Sequence, residues 1–175
     1  MKYSFMGAHM HVQPRFLRSA PLLAFALGGL VSAVGAVERV EPVRHQLEVE
    51  TGEGRVRIRL TVENRGETTI WIPREVAAGD ELTGRRFDLR DARGKPLDYT
   101  GMMVKRGALM AADWQEVKPH TMHMNTIDIT PAYAFRKGKQ GYEIRYDGPY
   151  LSDVSRLDAI RQSPAAAIKF SYTGR

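Results

Sequence analysis

The sequence predicts an all-β fold, more specifically an immunoglobulin-like antiparallel β-sandwich of about seven to eight strands. Apolar and polar residues alternate with a period of two along several short stretches, which is the pattern of half-buried strands. Turn signals separate these stretches about every 8–12 residues, a spacing typical of sandwiches. The clearest stretch is 55–63, where four apolar residues share one face: Val56, Ile58, Leu60 and Val62.

This alternation predicts individual strands at 46–51, 55–63, 68–72, 86–90, 121–129, 141–146 and 166–172. The first two are expected to form a hairpin through Gly52, Glu53 and Gly54. In 121–129 the inward face is ambiguous, because both faces carry polar and apolar residues. Sandwiches bury large aromatic side chains, so Trp71 and Trp114 are expected in the core.

The stretches between the strands are expected to be irregular or to hold single helical turns. A polar loop is predicted at 74–84, a turn at 92–96, one or two short irregular strands at 97–104, and single helical turns at 108–113 and 130–135. A short helix is predicted within 152–162, because Ser152 can cap it and Leu157 and Ile160 lie three positions apart.

Composition bounds the chain to one ordinary soluble domain. It has 175 residues, 43% of them hydrophobic, which is enough for a packed core. It has no cysteine, which rules out a disulfide framework, a thiolate metal site, a cysteine nucleophile and a lipoprotein anchor. Three of its 26 basic residues lie in the first 36 positions, and removing them leaves 23 against 20 acidic residues. Such a balance has no concentrated basic face, so nucleic-acid binding is not predicted.

Residues 1–36 read as a signal peptide, and residues 37–175 as a single β-sandwich domain. A basic stretch ends at Arg18, an apolar run follows from Ser19 to Val31, and the next residues are small. Cleavage after Ala36 or Ala33 fits this pattern. The alternative is an uncleaved membrane anchor. The protein is therefore expected to be exported, either periplasmic or secreted, and free of the membrane once the signal is removed.

No catalytic motif is present in the sequence. The His-Glu-x-x-His zinc motif, the Gly-x-Ser-x-Gly elbow, the phosphate loop and the dinucleotide fingerprint are all absent. His120 and His123 are three positions apart, and in a strand they point to opposite faces, so they are not expected to share a metal. Four aspartates near the central loops are expected to be solvated or to cap turns: Asp88, Asp91, Asp98 and Asp113. The sequence therefore predicts a protein that is not an enzyme, with no catalytic residue, metal ligand or cofactor.

Three arginines alternate along the polar face of the 55–63 strand: Arg55, Arg57 and Arg59. They are expected to form a solvated outer face, paired with glutamates of the neighbouring strand such as Glu48 and Glu50.

The segment 101–110 is the candidate protein-binding loop, and it is called the methionine segment below. It places flexible apolar side chains around two cations in a glycine-bounded stretch; its candidate site residues are Met102, Met103, Lys105, Arg106, Leu109 and Met110. Clusters of this kind suit adaptable protein-binding surfaces. The alternative is that these methionines simply fill the core.

The stretch 87–107, Phe-Asp-Leu-Arg-Asp-Ala-Arg-Gly-Lys-Pro-Leu-Asp-Tyr-Thr-Gly-Met-Met-Val-Lys-Arg-Gly, resembles the N-terminal, propeptide-associated domain of deuterolysin-like zinc endopeptidases. These enzymes are the aspzincins, which include the peptidyl-Lys metalloendopeptidases. The common theme is a strand, a Gly-Lys-Pro turn, Tyr-x-Gly and then Val-Lys-Arg. The segments 60–64, 128–133 and 141–146 resemble other strands and a corner of the same domain.

The resemblance implies a non-catalytic domain, because these enzymes carry their zinc site in a following domain with His-Glu-x-x-His. This chain reaches Arg175 without that motif. The expected function is an exported protein-binding module, a free-standing prodomain-like inhibitor or folding helper. Its expected partner is another exported protein, and the resemblance implies a zinc endopeptidase. The alternative is a structural or assembly protein of the cell envelope with no connection to peptidases.

Overall fold

The computed structural model of the protein describes residues 41–105 and 107–175. The predicted signal peptide and Arg106 lie outside the described residues. The described part contains ten strands: β1 (Val43–Gly52), β2 (Arg55–Asn64), β3 (Ile70–Pro73), β4 (Asp88–Asp91), β5 (Trp114–Val117), β6 (Thr121–Asp128), β7 (Gly138–Arg145), β8 (Pro149–Tyr150), β9 (Arg161–Gln162) and β10 (Ile168–Gly174). Its helical elements are α1 (Arg74–Ala78) and two 3₁₀ turns, Ala111–Asp113 and Thr130–Ala132.

The strands form an antiparallel β-sandwich, which confirms the predicted fold class. One three-stranded sheet has the order β1-β2-β6 and the other has the order β10-β7-β4, while β3 pairs with β5 and β8 with β9. The core contains the apolar face of β2, including Val56 and Ile58, together with Leu89 and Ile144 of the second sheet. The alternation along β2 therefore buries every second side chain, as the sequence indicates.

The β1–β2 hairpin has the turn that its sequence predicts. The register pairs Gly52 with Arg55, which leaves Glu53 and Gly54 as the two turn residues. Both have positive φ, 52° at Glu53 and 75° at Gly54. This is a type I′ arrangement, whose twist matches that of the flanking strands.

Helix α1 occupies the start of a stretch predicted to be a loop. Its Val76 and Ala77 are buried, so the core stabilises a helix too short to be stable alone. The sequence does not indicate the start of this helix, because Pro73 at the N-cap position provides no side-chain cap. The two single helical turns were predicted correctly. In place of the short strands predicted at 97–104, the structure has an isolated bridge that pairs Tyr99 with Tyr133.

The prediction of a short helix within 152–162 is wrong. This described stretch holds turns and the short β9. The Asp153 carboxylate accepts hydrogen bonds from the Ser155 backbone N–H at 2.9 Å and its hydroxyl at 2.7 Å. Such local bonds compete with helix formation. Ile160 is exposed, so the spacing that suggested a helix face does not correspond to a buried side.

The structure also settles which face of β6 points inward. His123, Asn125 and Ile127 turn toward the core, and the alternate methionines are exposed. The Asn125 amide donates to the carbonyls of Val76 and Gly79 at 3.0 and 2.6 Å. The ring Nε2 of His123 lies 2.7 Å from the Ala77 carbonyl. The two polar side chains thus satisfy carbonyls at the end of α1 that have no partner within a helix.

On the outer face of the first sheet, Arg59 makes the predicted pairing with the glutamates of β1. Arg59 pairs with Glu48 at 3.0 Å and also with Glu50. Arg55 lies 3.8 Å from Asp128, at the end of β6. These groups are substantially exposed, so their pairing contributes little to stability, about 0–1 kcal/mol for each pair.

Candidate protein-binding surface

The methionine segment projects its apolar side chains into solvent. Met102 is 62% exposed, Met103 75%, Leu109 42% and Met110 62%, and Lys105 is also exposed. The alternative that these methionines fill the core is therefore wrong. Arg106, the remaining predicted residue, is outside the described part. That these residues bind a protein stays a prediction.

The start of the segment is tightly fixed. The Tyr99 hydroxyl lies 2.9 Å from the Met102 carbonyl and 3.2 Å from the Leu82 carbonyl, and its ring packs edge to face on Tyr133. A Cβ on Gly101 would lie 2.8 Å from the Tyr99 hydroxyl and 3.0 Å from the Ala132 Cα, so only glycine fits without displacement. Burial, with a smaller contribution from Glu75, raises the pKa of Tyr99 above its ordinary value, so the hydroxyl stays protonated as a donor.

The middle and end of the segment are fixed by fewer bonds. The Val104 backbone N–H donates to the Thr83 carbonyl at 3.2 Å. The Asp113 carboxylate accepts from the Met110 backbone N–H at 2.9 Å, and the Asp113 N–H donates to the Met110 carbonyl at 2.9 Å. The segment is thus anchored at both ends while its thioether side chains remain free to adapt.

A groove of about 530 Å³ lies between α1 and the methionine segment. Its lining includes Ala78 of α1 and the following Gly79 on one side, and Val104 and Asp113 on the other. Glu75 in this lining is not available to a ligand, because it accepts bonds from the Thr83 N–H and hydroxyl and from Arg86. Through Val104 the methionine segment therefore borders a concave surface, which is the shape that receives a partner's side chain.

Sequence reasoning missed Val104 and Tyr99. Val104 is 49% exposed and adds a branched apolar side chain to the surface. Its position inside the methionine segment was the available signal. Tyr99 orients the segment, and the Tyr-x-Gly spacing could have identified that role.

Three of the four aspartates and both histidines weighed for catalysis or metal binding have partners in the structure. Hydrogen bonds from the Lys95 and Arg93 backbone, together with Arg136, hold the pKa of Asp91 below its ordinary value. Asp88 pairs with Arg85 and Arg90, and Asp113 caps a turn. His120 and His123 have separate partners, Glu67 and the Ala77 carbonyl. Within 41–105 and 107–175, no three His, Cys, Asp or Glu residues converge as metal ligands.

A second groove, of about 600 Å³, lies on the β10-β7-β4 sheet. Charged residues line it, and several of them are paired with each other or with neighbours: Arg145 with Glu143, Arg90 with Asp88, and Asp91 with Arg136.

Trp114 is buried as predicted, whereas Trp71 is only half-buried. In the part of the chain that the structure describes, no helix combines the length and apolar character needed to cross a bilayer.

The chain is similar to an extracellular protease of Aeromonas hydrophila. The two are 28% identical over 147 residues, which cover 84% of this chain and 40% of the protease. No family model matches the chain. The similarity thus connects most of this chain with a part of an extracellular protease. The narrower identification, with the deuterolysin-like family, stays a prediction.

Two solved structures share features with the chain at low similarity. A structural genomics target solved by X-ray diffraction has 13% identity and a TM-score of 0.41, covering 74% of this chain and 85% of its own. The yjhA protein from Bacillus subtilis has 16% identity and a TM-score of 0.30, covering 78% and 87%. These TM-scores are too low to add to the description of the fold.

Proposed function

We propose that the chain is an exported, non-catalytic module that binds a secreted protease through its methionine segment. In this proposal, residues 1–36 are a signal peptide and residues 37–175 form the mature domain. The partner is a zinc endopeptidase of the kind that the prodomain resemblance implies. The module acts on it as an inhibitor or as a folding helper.

The exposed apolar surface of the methionine segment carries the proposal. Five of the eight exposed large apolar side chains in the described residues belong to this segment: Met102, Met103, Val104, Leu109 and Met110. Fully burying one such side chain contributes about 1.5–3 kcal/mol. Protein interfaces are enriched in methionine at their centres, and concentrated apolar exposure of this kind is typical of an interaction site.

The protease similarity supports the class of partner. It covers most of this chain but only 40% of the Aeromonas protease. In this proposal the catalytic residues of the protease lie in the part that this chain does not match. The matched region is proposed to contact that part within the protease, and this chain is proposed to make the same contact between two proteins.

The test is a direct binding measurement between the purified full chain and the purified Aeromonas extracellular protease. We expect a dissociation constant in the micromolar range or tighter. A dissociation constant of 1 μM corresponds to a binding free energy of about −8 kcal/mol. Replacing Met102, Met103 and Met110 together by Gln is expected to weaken binding at least tenfold. The Lys105→Ala plus Arg106→Ala double variant is expected to weaken it as well.

A matched control is available on β6. Met122→Gln plus Met124→Gln changes methionines of similar exposure outside the methionine segment, so it is expected to leave the affinity unchanged. Equal affinity of the wild type and the methionine-segment variant would exclude this segment as the contact. Absence of binding, accompanied by self-association in sedimentation, would favour the envelope-assembly alternative. Peptide hydrolysis by the full chain that a chelator abolishes would overturn the non-catalytic assignment.

A further inference from the structure

The two three-stranded sheets of the sandwich differ in charge. Strands β1, β2 and β6 carry four arginines against four acidic residues. Strands β4, β7 and β10, together with the turn 92–96 that follows β4, carry six basic residues against three acidic ones: Arg90, Arg93, Lys95, Lys139, Arg145 and Lys169 against Asp88, Asp91 and Glu143. The fold therefore collects an excess of positive charge on the second sheet, which the mixed charges along the sequence do not reveal.

The second groove, of about 600 Å³, lies among the cations of this sheet. The strand register places Arg90 of β4 and Lys169 of β10 on either side of Glu143 in β7, in one row across three strands. Neighbouring strands lie roughly 5 Å apart, so the backbones of the two cations are roughly 10 Å apart. Arg145, two positions after Glu143 on the same face of β7, lines the same groove. Three cations and one carboxylate thus surround a single concavity.

Small residues leave the floor of this groove open. Ala92 follows β4, Gly141 lies in β7, and both line the groove. A Cβ built on Gly141 would lie 3.7 Å from the Ala92 Cβ, which is an ordinary van der Waals distance, and Gly141 does not have a positive φ. Neither packing nor backbone conformation therefore requires glycine at this position. A glycine inside a strand often marks a place where a ligand approaches the backbone closely.

Two lysines on this sheet are free to bind a ligand. The arginines of the groove each pair with a carboxylate of the same sheet. Lys169 and Lys139 are exposed, and neither makes an ion pair within 41–105 and 107–175. Lys139 and Arg145 lie on the same face of β7, six residues apart, which corresponds to roughly 20 Å along the strand. The cations therefore extend along the face of the sheet, beyond the groove itself.

The second groove lacks the apolar centre that protein interfaces use. None of the eight exposed large apolar side chains of the described residues belongs to β4, β7 or β10. The two aromatic residues of the lining, Tyr142 and Phe170, lie with their ring centres 5.6 Å apart and pack on the core. They therefore offer no free ring face on which a nucleic-acid base could stack. The groove suits a ligand that is polar on all sides and carries both anionic groups and hydrogen-bond donors.

We propose that the second groove binds an acidic polysaccharide, a linear chain of sugars that carry carboxylate groups. Arg90, Arg145 and Lys169 bind the carboxylates, and the Glu143 carboxylate accepts hydrogen bonds from sugar hydroxyls. A groove on the face of a sheet contacts its ligand from one side, whereas a small-molecule site buries most of its ligand. A polymer gains enough contacts by lying along the face toward Lys139. This site is independent of the methionine segment and of the protease partner proposed above.

Isothermal titration calorimetry of the full chain with alginate oligosaccharides, which carry a carboxylate on every sugar, tests the site. The wild type is expected to bind, and Lys139→Gln plus Lys169→Gln is expected to bind at least tenfold more weakly. Gly141→Val fills the floor of the groove without changing the charge, and it is expected to weaken binding at least tenfold as well. Valine is favoured in strands, and unchanged far-UV circular dichroism checks that each variant folds.

A matched control removes two cations from the other sheet. Arg44→Gln plus Arg57→Gln changes the net charge by the same amount on the outer face of β1 and β2, so it is expected to keep the wild-type affinity. Equal losses in the two double variants would mean attraction by net charge alone and would overturn the site. Unchanged affinity in Gly141→Val, or no alginate binding by the wild type, would overturn it too.

Two further probes test the class of ligand. Dextran is a neutral polysaccharide and is expected not to bind, because it has no carboxylate for the cations. Poly-glutamate carries carboxylates without sugar hydroxyls and is expected to bind at least tenfold more weakly than alginate. Dextran binding as tight as that of alginate would refute carboxylate recognition, and equally tight binding of poly-glutamate would replace the polysaccharide by an acidic peptide.

Discussion

Acidification is predicted to destabilise the sandwich through one buried side chain, His45 in β1. His45 is 3% exposed, and neither ring nitrogen has a well-formed hydrogen bond among the described residues. Its ring packs edge to face on Tyr146, with the ring centres 5.7 Å apart. Burial lowers the pKa of His45 from 6.5 to about 4, and the nearby Ser163 backbone offsets this only in part. The folded protein therefore holds this imidazole neutral.

The sign of the pH effect follows from this lowered pKa. Between pH 6.5 and 4 the unfolded chain binds a proton at His45 and the folded chain does not. Stability is therefore full above pH 6.5 and is lost as the pH falls through this window. The limiting loss is about 3 kcal/mol, because each pH unit that separates the two pKa values contributes about 1.36 kcal/mol. Between pH 7.5 and pH 4.5 the loss is about 2–3 kcal/mol.

The assay is urea unfolding of the wild type and a His45→Leu variant at both pH values. Leucine is apolar and does not titrate, so it removes this proton while filling much of the same space. Carboxylates also titrate toward pH 4.5, but they do so in both proteins. The drop in unfolding free energy is expected to be about 2–3 kcal/mol larger in the wild type. Equal drops in the two proteins would refute the assignment of the acid sensitivity to His45.

Four further substitutions test the packing and the exposed ion pairs. Gly148→Ala is expected to destabilise the protein by about 2–4 kcal/mol in thermal unfolding, because the new Cβ would lie 2.1 Å from a backbone oxygen. Gly94 also has a positive φ but open space around it, so Gly94→Ala should cost only about 1–2 kcal/mol in the same measurement. Asn64→Ala is expected to destabilise by about 2–4 kcal/mol in urea, because it removes two bonds to the Thr68 and Val117 carbonyls; a loss below 0.5 kcal/mol would contradict this. Arg59→Ala is expected to change stability by less than about 1 kcal/mol, and a larger loss would mean that its exposed pairs matter more than their solvation suggests.

The strand pattern and the hairpin could be predicted because they depend on local chemistry. Polar and apolar side chains alternate along β2, and a strand sends successive side chains to opposite faces. Gly54 allows the positive φ that the two-residue turn requires. Neither feature needs information from distant parts of the chain.

The elements that were missed depend on distant contacts. Helix α1 has no capping side chain of its own, and its carbonyls are satisfied by Asn125, some 46 residues or more away along the chain. The pattern within 152–162 suggested a helix, but Asp153 bonds locally and Ile160 has no core to contact. For α1 tertiary packing outweighs the weak local preference, whereas within 152–162 local hydrogen bonds compete with the helix and no core contact favours it.

The features of the candidate surface were likewise predictable from the sequence only in part. The sequence by itself determined that the methionines cluster beside two cations within a glycine-bounded segment. Only the tertiary structure decided that the methionine segment lies outside the core, that it borders a groove against α1, and that β6 turns its methionines outward. Composition sets what a side chain can do chemically. Exposure depends on which distant segments pack against it, and that packing is a property of the folded chain.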